Sequence, residues 1–334
     1  MSDQPIEENV PDTTLAKVTV NEEAVADRRK RNSFKKSLSR YWAVLALVTY
    51  FLGLGSGYLI RSKTSIEKIQ ARANMGAILK QINPPDGFTL PIRYGDFAPK
   101  LIASGAIDYE KFVKLYEEAG NPLSEGQIAL LTKGSDESVV ISQENQHFLL
   151  NLFWALGLAN QNKVLTEGPM IRNGKAQVGN FASTGGWTLG TKPVVELYAS
   201  QPIITLTEAQ QKRLEEVTIG VFRPCCDNPT HFPDCNHGMA MLGLLELMAS
   251  QDASVDEMYE AAKEVNAFWF PQQALELAVL FKETKNVDFG KVDARQFVGQ
   301  PFSSGSGFQN VHLWLTQNGK LGEATQDGGS CGVR

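Results

Sequence analysis

Cysteine and histidine are scarce in this chain, with four of each among 334 residues. So few cysteines exclude a small scaffold held together by many disulfides. Net charge is -5, so there is no basic excess to neutralise phosphates, and a nucleic-acid partner is not expected. Motifs that would name a chemistry outright are missing too. No C-x-x-C occurs, which excludes a zinc-finger pair, a thioredoxin-like dithiol and, without C-x-x-C-H, covalent haem. No H-E-x-x-H, G-x-S-x-G or G-x-x-x-x-G-K-[ST] is present, and no internal repeat.

What the chain has is crowding. Three of the four cysteines and two of the four histidines fall within residues 225–237, in the pattern C-C-x4-H-x3-C-x-H. The stretch Pro224-Cys225-Cys226-Asp227-Asn228-Pro229-Thr230-His231-Phe232-Pro233-Asp234-Cys235-Asn236-His237-Gly238 runs into an apolar helix from Met239 to Met248. Thiolate is the form that binds metal or attacks a disulfide, and Cys235 beside a helix start is placed to be one. Pro224, Pro229 and Pro233 stiffen the loop and lower the entropy lost when it closes.

Thiolate plus imidazole suits copper or zinc, whereas hard-oxygen metals want more carboxylates. The candidate ligands are Cys225, Cys226, Cys235, His237 and His231, with His237 the first nitrogen. Met239 is the candidate thioether, and Met241 belongs to the core stripe. Asp227 and Asp234 fit either turn formation or acceptance from the histidines. His147 and His312 read as ordinary core or surface residues. The expected function is metal handling or delivery.

Two alternatives stand beside it. One is a structural or interaction subunit whose loop is stapled by a disulfide from Cys225 or Cys226 to Cys235, Cys331 making the count even. The other is thiol–disulfide exchange through Cys226 and Cys235. No further catalytic constellation is visible, so the chain reads more as a binding protein than as an enzyme.

The fold class reads as mainly α, with a single N-terminal transmembrane helix before an extracytoplasmic helical domain with long loops. Residues 1–40 form a cytoplasmic tail, ending in the basic run 28–40. Residues 41–61 form the signal anchor, since Tyr41–Ile60 carries no charge and such a helix spans roughly 30 Å. The basic run puts the N-terminus inside the cytoplasmic (inner) membrane. Gly53, Gly55, Ser56 and Gly57 could pack on another membrane protein as partner. A helical stalk follows over 62–85, then the domain 86–300, then a flexible segment 301–334.

Within the domain, Asp108, Ser124, Thr207 and Ser254 are expected helix caps. Residues 142–159 are apolar all round and read as a central buried helix. Residues 166–192 read as a long loop whose Thr184-Gly185-Gly186 gives a weak ligand signal. Val311–Leu315 alternates like a short strand.

Overall fold

The computed structural model describes residues 27–28, 30–31, 41–42, 44–53 and 75–321. The chain divides into two compact units, Met1–Ile69 and Gln70–Arg334. In the first, residues 41–42 and 44–53 are helical. No helix among the described residues is long and apolar enough to cross a membrane. This overturns the expected single-pass anchor. The assignment to the cytoplasmic membrane, and of everything beyond residue 61 to its outer side, falls with it. The expectation rests on uncharged length and a basic flank. Gly53, Gly55 and Gly57 lie in the same run, and each disfavours helix by about 1 kcal/mol. Residues 54–61 of that segment, most of the tail, residues 62–74 of the stalk, and 322–334 with Cys331 lie outside the described residues.

The second unit is mainly helical. After a helical stretch at 75–82, β1 (Phe88–Gly95) leads to α1 (Phe97–Ser104), α2 (Tyr109–Glu118) and α3 (Glu125–Lys133). Strand β2 (Ser135–Ile141) then returns antiparallel to β1, with Phe88 opposite Ile141. Leu90, Ile92, Val139 and Ile141 face the core. This pairing is absent from the sequence expectation, because three helices separate the two strands in the chain, and β1 contains Pro91. A two-stranded sheet has only edges, and edges tolerate proline.

The core is the pair α4 (Gln146–Ala159) and α6 (Asn236–Ser250), with α5 (Glu208–Gly220) between them in sequence. Helices α7 (Val255–Trp269), α8 (Pro271–Lys285) and α9 (Gly305–Gln317) complete it. Residues Phe148 to Ala159 of α4 are all buried, matching the unbroken apolar run. Helices α4 and α6 approach backbone to backbone at Gly157 and Gly243. A methyl on Gly243 would lie 2.7 Å from the Gly157 nitrogen, and one on Gly157 would overlap the Met239 carbonyl. This crossing fixes the start of α6, and so of Cys235, against the core.

The cap expectations hold. Asp108 accepts from the Lys111 N–H, and Ser124, Thr207 and Ser254 form capping boxes with Gln127, Gln210 and Glu257. Two other readings are corrected. Residues 166–192 are packed: 3-10 turns at Pro169–Ile171 and Lys175–Asn180 and a one-turn helix at Ala182–Gly185 carry buried Ser183, Thr184 and Trp187. The tryptophan N–H groups pin that segment, Trp187 to the Ala106 carbonyl and Trp154 to that of Ser183. Residues 311–315 lie inside α9, not in a strand. Val311 and Leu315 are buried one helical turn apart while Leu313 is exposed, and Ser304 caps the helix through the Gly307 N–H. Alternation over five residues cannot separate the two periods. The segment expected to be flexible from 301 thus begins as ordered helix.

Candidate metal centre

The loop 221–235 leaves α5 and is fastened on three sides before it enters α6. Thr230 bonds back to the Val221 carbonyl through both N–H (2.8 Å) and hydroxyl (3.0 Å), and the His231 N–H reaches the Thr218 carbonyl at 2.9 Å. On the second side, the Gly305 N–H donates to the Cys226 carbonyl (2.8 Å) and the Ser306 N–H to Asp227 Oδ1 (2.7 Å). On the third, Phe181 packs edge-on to Phe232, and the Ser183 N–H donates to the Asp234 carbonyl at 3.0 Å.

This closure brings three sulfurs together. The ligand atoms of Cys225, Cys226 and Cys235 lie within 4.8 Å of one another, and Cys225 Sγ is 3.4 Å from Cys235 Sγ. Cys235 is buried and the other two are partly exposed. Two sulfurs sharing one ion at about 2.3 Å each can stand at most about 4.6 Å apart, and about 3.8 Å in a tetrahedral arrangement. The closest pair stands inside this limit, and the widest, at no more than 4.8 Å, comes within about 0.2 Å of it. A buried Cys225-Cys226-Cys235 cluster of this kind can hold a metal ion.

Cys235 is the N-cap of α6, and its sulfur accepts from the Gly238 N–H at 3.4 Å. Its thiol is held well below the ordinary range. Hydrogen bonds from Cys225 and Cys226 contribute most, burial opposes them, and the charges of Arg223 and His237 add to the lowering. Cys226 moves the other way. Its bond with Cys225 lowers it, but donation to Cys235 and burial outweigh that and push it up to about 11. The cluster therefore carries its first negative charge on the buried sulfur.

The residue that organises this charge is Arg223, which the sequence reading passes over. It is 1% exposed, and its guanidinium binds four acceptors. Nε donates to Cys235 Sγ (3.0 Å), Nη1 to the Asn228 carbonyl (2.8 Å), and Nη2 to the Phe232 carbonyl (3.2 Å) and Asp234 Oδ1 (2.7 Å). Burial works against its charge, yet the negative cysteine cluster, Cys235 foremost, keeps it ionised. Gly238 makes room for it, since a methyl there would overlap the guanidinium. The only signal in the sequence is an arginine two residues before the first cysteine. Its planar fork suits several acceptors at once where a lysine would not.

The expected histidines are not part of the sulfur group. His237 is buried in the first turn of α6, its ring 4.4 Å from that of Phe270 and 5.8 Å from that of Trp269. His231 turns to α5, with Nδ1 3.4 Å from Thr218 Oγ1. Met239 and Met241 are both core residues. Asp234 serves Arg223 and Asn228 rather than a histidine, and Asp227 clasps α9. His312 pairs with the buried Glu276 at 2.9 Å.

Five buried side-chain polar atoms among the described residues lack a hydrogen-bond partner. Four of them are Ser183 Oγ, Thr184 Oγ1, Asn236 Nδ2 and His237 Nδ1, on the first turn of α6 and on the segment bonded to Asp234. Each such atom costs about 1–3 kcal/mol unless something meets it. They mark this end of the core as its polar end. The chain matches no protein-family model, no curated protein and no solved structure.

Proposed function

We propose that this protein binds one thiophilic d10 ion, copper(I) or zinc(II), through Cys225, Cys226 and Cys235, and that it holds this ion for transfer. The observation that carries the reading is the convergence of three sulfurs within 4.8 Å. Thiolate sulfur selects these ions over hard cations. Charge supports it as well: a divalent ion with three thiolates leaves one negative charge, and Arg223 Nε faces that charge at Cys235. Transfer, rather than a purely structural role, follows from exposure. One sulfur is buried and two are partly exposed, so an incoming thiol of a recipient protein can displace them in turn. His237 stands nearest in sequence as a nitrogen donor to the fourth position that zinc favours.

The test is metal analysis of the full chain, reduced, loaded separately with zinc(II) or copper(I) and desalted. One equivalent is expected on the native protein, and less than a tenth of that when Cys225, Cys226 and Cys235 are all serine. Equal retention by the serine variant, or none by the native chain, overturns the assignment.

A further inference from the structure

Beyond holding a metal, we propose that Cys225 and Cys235 react together with a hydroperoxide to form an intramolecular disulfide, which closes the metal site. Two geometric facts single out this pair. The two sulfurs already stand 3.4 Å apart, and bond formation needs contraction to about 2.05 Å. Cys226 also bonds Cys235, but its sulfur is held in addition toward Asp234 Oδ1 at 3.7 Å and the Asn228 carbonyl at 3.9 Å. A bond from Cys226 to its neighbour Cys225 would be strained.

Roles within the pair follow from their surroundings. Cys235 Sγ accepts from Arg223 Nε and from the Gly238 N–H, at the N-terminus of a fifteen-residue helix. These donors favour a thiolate. Arg223 Nη1 and Nη2 hold the loop carbonyls of Asn228 and Phe232, so the sulfur stays in place while its charge changes. The partly exposed Cys225 and Cys226 lie toward solvent, the side from which a small oxidant arrives.

The chemistry balances as follows. The Cys235 thiolate attacks one peroxide oxygen, the O–O bond breaks, and the leaving alkoxide takes a proton to become an alcohol. Cys235 is now a sulfenic acid, oxidised by two electrons. The Cys225 sulfur attacks it, the S–S bond forms, the S–O bond breaks, and the oxygen leaves as water with the Cys225 proton. One hydroperoxide and two thiols thus give one disulfide, one alcohol and one water. Two of the three metal ligands are consumed. That gating of the metal rests on the reading above; the disulfide does not.

The test uses the full chain, reduced and metal-free, with one equivalent of hydrogen peroxide. Remaining thiols are alkylated, and the protein is cut without reduction by a protease that cleaves before aspartate, at Asp227 and Asp234. Fragmentation of the linked peptide is expected to place the bond at Cys225–Cys235, with Cys226 alkylated and the link reversed by dithiothreitol. Cys225→Ser should lose the link and leave a dimedone-reactive sulfenic acid on Cys235. Arg223→Lys should slow thiol loss at least tenfold. In a second arm the zinc-loaded chain should release its zinc in step with disulfide formation. A Cys226–Cys235 bond, or over-oxidation without a link, overturns the proposal even if zinc binds. A Cys225–Cys235 bond in a chain that retains no metal upholds it and overturns the metal reading alone.

Discussion

Helix α6 carries two buried ionisable groups against it, and they reach opposite states. At its start, Arg223 is 1% exposed and fully charged, with four acceptors around one planar fork. Some two-thirds of the way along, Glu246 is 0% exposed. One of its oxygens meets Asn160 at 3.1 Å and the other meets nothing. Burial raises its carboxyl well above the ordinary range, against a smaller lowering by Asn160, so the core holds it neutral. Equal burial gives opposite outcomes because partners, and not depth, decide whether a charge survives. The polar end of the core can therefore manage negative sulfur, while its middle cannot manage a single carboxylate.

The largest effect expected from breaking this contrast is at Arg223. Arg223→Met removes the charge that faces Cys235 and Asp234, and such one-sided losses cost about 3–5 kcal/mol. Chemical denaturation should show that loss, and metal retention should fall at least tenfold. A smaller step of the same kind is Gly238→Ala, which displaces the guanidinium but keeps its charge; metal affinity should fall more than stability.

Zinc removal comes next. A ligand at a hundred times its dissociation constant stabilises the fold by about 2.7 kcal/mol. Adding a chelator should lower the melting temperature of the native chain and leave the triple-serine variant unmoved. Gly243→Ala tests the apolar side of the comparison. Overpacking of the α4–α6 crossing should cost about 1–3 kcal/mol while a folded sample still retains one equivalent of zinc.

The pH dependence sharpens the contrast from the carboxylate side. Burial pushes Glu264 up to about 7, against a smaller lowering by the nearby Lys263. Carboxyls raised in the fold bind protons more tightly there than in the unfolded chain. Their contribution is full below about pH 4.5 and is lost as pH rises, by about 7 for Glu264 and further up for Glu246. Glu264→Gln should flatten the fall in melting temperature between pH 5 and 8, by roughly 2–4 °C for each kcal/mol removed. The smallest effects belong to the histidines. His231→Ala should leave metal affinity unchanged, and His237→Ala should weaken zinc more than copper(I), as isothermal competition with a chelator would show.

Local signals explain which elements could be read in advance. Ser124, Thr207 and Ser254 cap helices through atoms three residues away, and the buried α4 declares itself by an unbroken apolar run. The β1–β2 pairing joins residues some fifty positions apart, as Phe88 opposite Ile141, and no local pattern encodes it. Val311–Leu315 fits strand and helix alike until Ser304 is seen capping α9.

The sequence by itself determined that the fold is mainly helical, and that Cys225, Cys226 and Cys235 crowd the start of one helix. Both follow from spacing along the chain, which sets periodicity, caps and the reach of a short loop. Only the tertiary structure decided that the three sulfurs converge, that His231 meets Thr218 and His237 packs on Phe270, that Arg223 supplies the counter-charge, and that no described helix can cross a membrane. Those outcomes depend on where α5, α9 and the 181–185 segment clasp the loop, and on how long a helix grows, which pairwise spacing does not contain.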